Sequence, residues 1–426
     1  MGRARGVVSA VKLLLVTLYF PPAGGGGVQR PLKFATYLPA LGIETHVLAP
    51  DDPKWVHEDN DLTLPTQAWV HRARYVGPGG RRIADELHGR SGVDLALRRA
   101  STIGRRLLVP DENVTWNATA IPKAIAIARR EGIDVVLTTS PPGSVHLIGA
   151  AVKRATGAKW VADLRDSIAL HPHRATEGMG ARAKQKARAG VAHLVARQAD
   201  AIVTAADAIT EETRGLHPRA SVVTIANGSD FDDFAGLEYR RTDRFRLTHT
   251  GSFFGHRDPK PFLRALVASG LQDVTVRFVG DFRPGDREFL DSLELGDRVE
   301  IIDYVPRRES LRLQRESDAL LLLIPEAGGR GRGVLSGKVF EYLAAERPIL
   351  AVVPPDGAAA ELIRDTGAGV VAAPEDEGAI RDALLALHEQ WQAGELDGPP
   401  LSDEWRERLS RASRVEELAD LLKGMV

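Results

Sequence analysis

The chain reads as α/β, with two doubly wound, Rossmann-like domains facing each other across a cleft. Three observations predict this. Its 426 residues exceed what one core ordinarily organises, so two domains of about 200 residues are expected. Short β-rich runs alternate with helical stretches along the chain, the pattern of a parallel sheet wrapped by helices. The series breaks at the turn dipeptide Asn227-Gly228, which divides the chain into residues 1–228 and 229–402, with 403–426 expected to pack back on the first domain as a helix.

The first domain opens on an apolar run, Val11 to Leu18, then a Pro/Gly loop, a helical pattern over Val28 to Leu41 and a strand over Glu44 to Leu48. Strand, glycine loop, helix, strand is a βαβ unit. Asp51 to Arg106, rich in Gly, Pro and charge, shows no readable element. A helix over Pro122 to Glu131 then leads to a strand over Asp134 to Thr138, a helix over Val145 to Thr156 and a strand over Trp160 to Ala162. Helix Ala181 to Ala199, strand Ala201 to Thr204, helix Ala208 to Arg214 and strand Ser221 to Ile225 complete the series. In the second domain, strands fit Phe245 to Thr250, Val274 to Val279, Val299 to Ile302, Ala319 to Leu323, Ile349 to Val353 and Gly369 to Val371. Helices fit Pro261 to Ala268, Arg308 to Glu316 and Lys338 to Ala345. In such folds ligands sit at the carboxyl ends of the strands.

Composition narrows the chemistry. There are no cysteines, which excludes disulfides, thiolate metal sites and a cysteine nucleophile and suits a cytoplasmic setting. No apolar run reaches the ~18 residues that span a bilayer, and the first residues lack the apolar stretch of a signal peptide. The net charge of -1 hides an asymmetry: residues 1–200 carry 28 Lys+Arg against 17 Asp+Glu, and residues 201–426 carry 28 against 40. A basic front half fits an anionic partner, such as a phosphorylated acceptor or the inner face of a membrane. Solvated arginines that keep the domain soluble account for it equally. No nucleic-acid partner is expected.

Gly24 to Gly27 follow the first strand and precede the first helix. Gly25, Gly26 and Gly27 let a ligand approach the backbone closely, and a helix start offers free N–H groups to an anion. A nicotinamide fingerprint is the rival, with Asp51 after the second strand as the ribose acid. Gln29 stands where its third glycine belongs, which counts against it. In the second domain a glycine-rich loop, Gly328 to Gly333, ends in Ser336-Gly337-Lys338 at a helix start. Amides, a hydroxyl and an ammonium there can hold a diphosphate. Glu341, one turn on, can accept hydrogen bonds from sugar or ribose hydroxyls.

The stretch Gly333 to Leu350 closely resembles the donor-binding segment of family-4 retaining glycosyltransferases (glycosyl transferases group 1), which adopt the GT-B fold. Further resemblances run in order along the chain. Tyr19 to Gly27 is similar to the family's first loop and Ile225 to Asp230 to its interdomain segment. Gly251 to Arg257 is similar to the loop opening the second domain, and Asp303-Tyr304-Val305-Pro306 to the segment whose backbone reads the nucleobase. The resemblance implies a hexosyl-type transferase moving a sugar from a nucleoside diphosphate to an acceptor, with retention. Front-face attack is expected, in which the leaving phosphate takes the acceptor's proton. Donor-binding roles follow for Gly25, Gly26, Gly27, Ser252, Arg257, Tyr304, Val305, Ser336, Gly337, Lys338 and Glu341.

The chain also departs from the family. Gly333 stands where a first glutamate precedes Glu341 by eight positions, so donor-sugar identity does not carry over. Ser252 replaces the usual arginine, and Arg257 takes the place of the phosphate-binding lysine. After the strand ending at Ala162 comes Asp163-Leu164-Arg165-Asp166, with Arg165 where many relatives have histidine. Arg165 is expected to bind phosphate or orient Asp166, and Asp166 to accept from a sugar hydroxyl. Arg165, Asp166 and Glu341 are thus the expected catalytic set. An internal Asp–Arg pair capping the sheet is the alternative reading. His146, His171 and Arg174 are the candidate acceptor contacts.

Asp59-Asn-Asp61 and Asp230-Phe-Asp232 match a metal-binding pattern only by chance in this reading. Neither a metal nor another cofactor is expected, and cationic side chains and amides would balance the diphosphate. Asp163 and Asp166 leave a double-displacement route open. Other readings also stand: a natural-product transferase with a small soluble acceptor, a nucleotide-sugar epimerase or phosphorylase on the same fold, or a silent binding module.

Overall fold

The computed structural model describes residues 11–52, 57–77, 108–169, 179–253, 255–398 and 400–426. Seven strands form the first sheet: β1 (Val11–Thr17), β2 (Ile43–Pro50), β3 (Trp69–Ala73), β4 (Val135–Ser140), β5 (Lys159–Leu164), β6 (Ala201–Thr204) and β7 (Ser221–Thr224). Their order is β3-β2-β1-β4-β5-β6-β7, and every pairing is parallel. Six more form the second sheet: β8 (Phe245–Thr250), β9 (Val274–Val279), β10 (Val299–Ile302), β11 (Ala319–Leu323), β12 (Ile349–Val352) and β13 (Gly369–Ala372). Its order is β10-β9-β8-β11-β12-β13, again parallel.

A parallel sheet is covered on both faces, so its central strands are apolar throughout. β1 shows the division of labour: Leu14 and Val16 face one core, Leu13 and Leu15 the other. The second sheet repeats this, with Leu321 and Leu323 on one side and Leu320 and Leu322 on the other. Strand order reverses between β1 and β4 and between β8 and β11. Such switch points open crevices at the strands' carboxyl ends. The glycine loop follows β1, Gly251 follows β8 and the 328–337 loop follows β11.

The chain crosses between lobes twice, and the two crossings run together. Ser229 N–H donates to Leu409 O at 2.8 Å and Arg411 N–H to Ser229 O at 3.0 Å. Beyond the second crossing, helix Arg411–Lys423 lays Val415, Leu418, Ala419 and Leu422 into the first lobe's core. That spacing is one helical stripe.

The helix read over 403–426 is two, Asp403–Leu409 and Arg411–Lys423, and three elements of the first lobe also differ from the sequence reading. β3 lies inside the segment that showed no element; its Trp69 and Val70 gain their order from pairing with β2, not from their own pattern. The helix expected from Pro122 begins at Asn117, where buried Trp116 and the Asn117 amide donating to Ser144 O fix the first turn. Pro122 then forfeits only one backbone bond inside the helix. The first helix covers Gly26–Tyr37, and Pro39–Leu41 forms a separate short turn.

Candidate functional site

In the second lobe, Gly251 after β8 lies against Gly280 after β9 and against Lys338 of the helix that follows the β11 loop. Gly251 has φ 123°, a backbone region open to glycine. A Cβ there would lie 2.2 Å from Lys338 Nζ, so glycine lets the ammonium rest on the loop. Arg257 is almost wholly buried and donates to Ser252 O at 2.8 Å. Both cations act on His249, which is fully enclosed beneath them: burial first, then Lys338 and Arg257, hold its pKa well below the usual value. Ser336 precedes helix Gly337–Ala344 and makes no side-chain capping bond. The Val339 N–H of its first turn donates to the Ser336 carbonyl at 3.1 Å, and a helix start of this kind favours an anion.

Glu341 is paired. Its Oε1 accepts from Arg307 Nη1 at 2.5 Å and its Oε2 from Gln314 Nε2 at 3.4 Å. Arg307 Nη2 donates to Asp233 at 2.9 Å. Burial opposes the charge of Arg307, but Glu341 and Asp233 outweigh it and raise its pKa.

The first lobe leans onto this surface. Gly25 and Gly26 are exposed, and Gly25, at φ 88°, opens the helix. A Cβ at Gly24 would lie 2.0 Å from the Tyr304 hydroxyl, so the glycine loop abuts the segment holding Tyr304 and Val305. His57 stacks on Tyr304 with ring centroids 4.3 Å apart, and its Nε2 lies 2.9 Å from Asp281 Oδ1. Ser252 Oγ donates to the other Asp281 oxygen at 2.9 Å. Asp59, one half of a metal-like pattern in the sequence, accepts from the Arg307 backbone N–H at 2.8 Å. Gly333 is small for a reason: a Cβ there would lie 2.4 Å from Ala208 Cβ of the first lobe.

The strand-end charges after β5 are arranged differently. Asp163 is 0% exposed and held by Arg30, through Nε at 3.1 Å and Nη2 at 2.8 Å, and by Thr139 Oγ1 at 2.6 Å. Arg30 also donates to the Ile225 and Ala226 carbonyls. The internal Asp–Arg pair is therefore real, but its arginine is Arg30. Arg165 donates to Ser140 O at 2.6 Å and Gly27 O at 2.5 Å, and burial lowers its pKa. It ties the glycine loop to the loop after β4. In this structure its guanidinium is directed at carbonyl oxygens. Asp166 is partly exposed beside it.

His146 moves out of the site. It is fully buried, 2.9 Å from Thr138 Oγ1 and near Trp160, inside the first lobe's core. His171 and Arg174 lie outside the described residues. Arg30, Arg307, Asp233 and His57 were missed by sequence reasoning. Only Arg307 had a signal, directly after the base-reading segment. Among the described residues no helix is long and apolar enough to cross a membrane.

Comparison with known proteins bears on what this cleft is. Residues 25–228 match the family model described as glycosyl transferase 4-like domain, and residues 244–390 match glycosyl transferases group 1. No curated protein sequence matches the chain. Among solved structures, sucrose-phosphate synthase from Thermosynechococcus elongatus is similar with TM-score 0.64 and 14% identity, covering 97% of this chain and 99% of that one. Anabaena HepE in complex with UDP and glucose gives 0.64 and 14%, over 97% and 100%. A glycosyltransferase from Rickettsia africae gives 0.60 and 12%, over 97% and 98%. These likenesses establish the GT-B fold.

Proposed function

Because the chain belongs to the glycosyltransferases that join a glycosyl transferase 4-like domain to a glycosyl transferases group 1 domain, we propose that it moves a hexosyl group from a nucleoside-diphosphate sugar to an acceptor nucleophile, with retention. The observation that carries this reading is that Lys338 and Arg257 both lie against the loop after β8 and both act on His249, at a helix start without a side-chain cap. Two cations and a helix N-terminus suit a diphosphate. Tyr304 and Val305 would lie against the base, and Glu341 would take hydroxyls of ribose or sugar. HepE is described with UDP and UDP-glucose, which makes a uridine donor the first candidate.

As the acceptor oxygen bonds to the anomeric carbon, the bond from that carbon to the diphosphate breaks. The leaving oxygen takes the acceptor's proton. Arg257, Lys338 and the amides stabilise the departing charge in place of a metal. The front-face route is supported by the enclosure of Asp163, whose oxygens are engaged by Arg30 and Thr139. The acceptor would enter against the first lobe, where Asp166, partly exposed at the end of β5, would accept from a sugar hydroxyl. The excess of 28 basic over 17 acidic residues in positions 1–200 supports a phosphorylated or lipid-linked acceptor, reached from the cytoplasmic side of a membrane.

A thermal-shift panel of UDP, GDP, ADP and dTDP tests the donor site, since a ligand of the folded state alone raises its melting temperature. One of the four should raise it clearly. No shift with any would remove the diphosphate from the cleft. An epimerised nucleotide sugar formed without acceptor would redirect the reading to an epimerase.

A further inference from the structure

Between the proposed donor site and the hinge runs a chain of alternating charge. Glu341 meets Arg307, Arg307 meets Asp233 at 2.9 Å, and Asp233 meets Lys33 at 3.4 Å. Lys33 also reaches Asp230 at 3.2 Å, and Asp230 lies 3.4 Å from Arg411. Glu341 and Arg307 belong to the second lobe, Lys33 to the helix after the glycine loop, and Asp230 and Arg411 to the two crossings. Arg307 is thus fixed from outside its own lobe. Its side chain is held through Asp233 by Lys33, and its backbone N–H donates to Asp59 of the first lobe.

We propose that Arg307 is a positioning residue that aims the Glu341 carboxylate at the donor's ribose hydroxyls, and does so only while the lobes are closed. This rests on the reading of the cleft as a nucleoside-diphosphate site. A carboxylate offers about four lone-pair directions. Arg307 and Gln314 take one on each oxygen, and Glu341 keeps 15% side-chain exposure. Two directions remain for a vicinal diol. Arg307 does not touch the donor in this scheme. It sets which way the remaining lone pairs point, and the first lobe decides whether Arg307 is in place.

Calorimetry with UDP, GDP and ADP and their 2′,3′-dideoxy counterparts separates this role from a structural one. Hydrogen bonds to a charged acceptor predict that the wild type prefers the ribose form of its nucleotide by ~10-fold or more. In Arg307→Ala that preference should fall to within about threefold, with most of the affinity for the dideoxy form retained. Arg307→Lys, which keeps a donor for Glu341, should restore part of it. Lys33→Ala, a milder change outside the donor surface, should lower the preference in the same direction and serves if Arg307→Ala does not fold.

An unchanged ribose preference in either alanine variant overturns the proposal, even if affinity for both forms falls together. Equal binding of ribose and dideoxy forms by the wild type, or binding of none, overturns the site reading itself. The two failures are therefore distinct.

Discussion

The charged segment after β5 and the segment opening helix Gly337–Ala344 occupy equivalent places, each at the carboxyl end of a parallel strand. Both carry acids and bases, yet they have opposite fates. Asp163 is met by a guanidinium and a hydroxyl, and Arg165 spends its donors on the Ser140 and Gly27 carbonyls. Glu341 and Lys338 keep partial exposure, and the helix between them starts without a side-chain cap. Strand-end position creates the opportunity for a site. Whether internal partners consume the polar atoms decides which charges face a ligand. In the first lobe Asp163 and Arg165 are bound by groups of that same lobe, while in the second Lys338 and Glu341 stand in the first turns of a helix, with Glu341 paired to Arg307.

Two substitutions test that contrast most severely. Asp163→Asn leaves Arg30 buried without its counter-charge, and breaking such a pair costs about 3–5 kcal/mol. Urea denaturation should register that loss. Full stability with lost turnover would instead make Asp163 part of the chemistry and erase the distinction between the lobes. Arg257→Ala is the converse. Donor turnover should fall ~10²-fold or more, about 2.7 kcal/mol, while the melting temperature moves by no more than about 4 °C. If the protein melts early and turnover per folded molecule is unchanged, the role of Arg257 is structural as well.

The contrast also explains what the sequence could disclose. Both sheets were legible because parallel strands buried on two faces are continuous apolar runs, such as Leu13 to Val16 and Ala319 to Leu323. β3 was not, because its order comes from β2 across the sheet. In the second lobe, Ser336, Lys338 and Glu341 lie within two turns of one helix, so local spacing carried the pattern. The partners of Asp163 and Glu341 do not. Arg30 lies 133 positions from Asp163, and Arg307 lies 34 from Glu341. A salt bridge closed by the fold leaves no periodicity to read, and Asp163-Leu-Arg165 suggested a local pair where the true one is remote. Asp59 was similarly opaque: its Asp-x-Asp pattern read as chance and offered no other role, while one of its oxygens accepts from a backbone N–H 248 positions away.

His146 gives the gentlest test, because its consequence appears only in acid. Its ring is fully enclosed, with Nδ1 2.9 Å from Thr138 Oγ1, and that oxygen already accepts from Trp160 Nε1 at 2.8 Å. The threonine proton is therefore the one left to point at the ring. Burial pushes the His146 pKa down to about 4, against about 6.5 in an unfolded chain. Above pH 6.5 neither state binds the proton, and His146 has no effect on stability. Between 6.5 and 4 the unfolded chain binds it and the folded protein does not, so stability falls as pH falls, by roughly 2 kcal/mol at pH 5. Below about 4 the loss levels off. His146→Gln removes this titration, so the stability difference between pH 7.5 and pH 5 in urea should shrink relative to wild type. Turnover at pH 7.5 should stay unaltered, since the ring does not reach the cleft. An unchanged acid loss combined with lower turnover would put the imidazole back on the acceptor side, and the first lobe would then present a charge-bearing group as the second does.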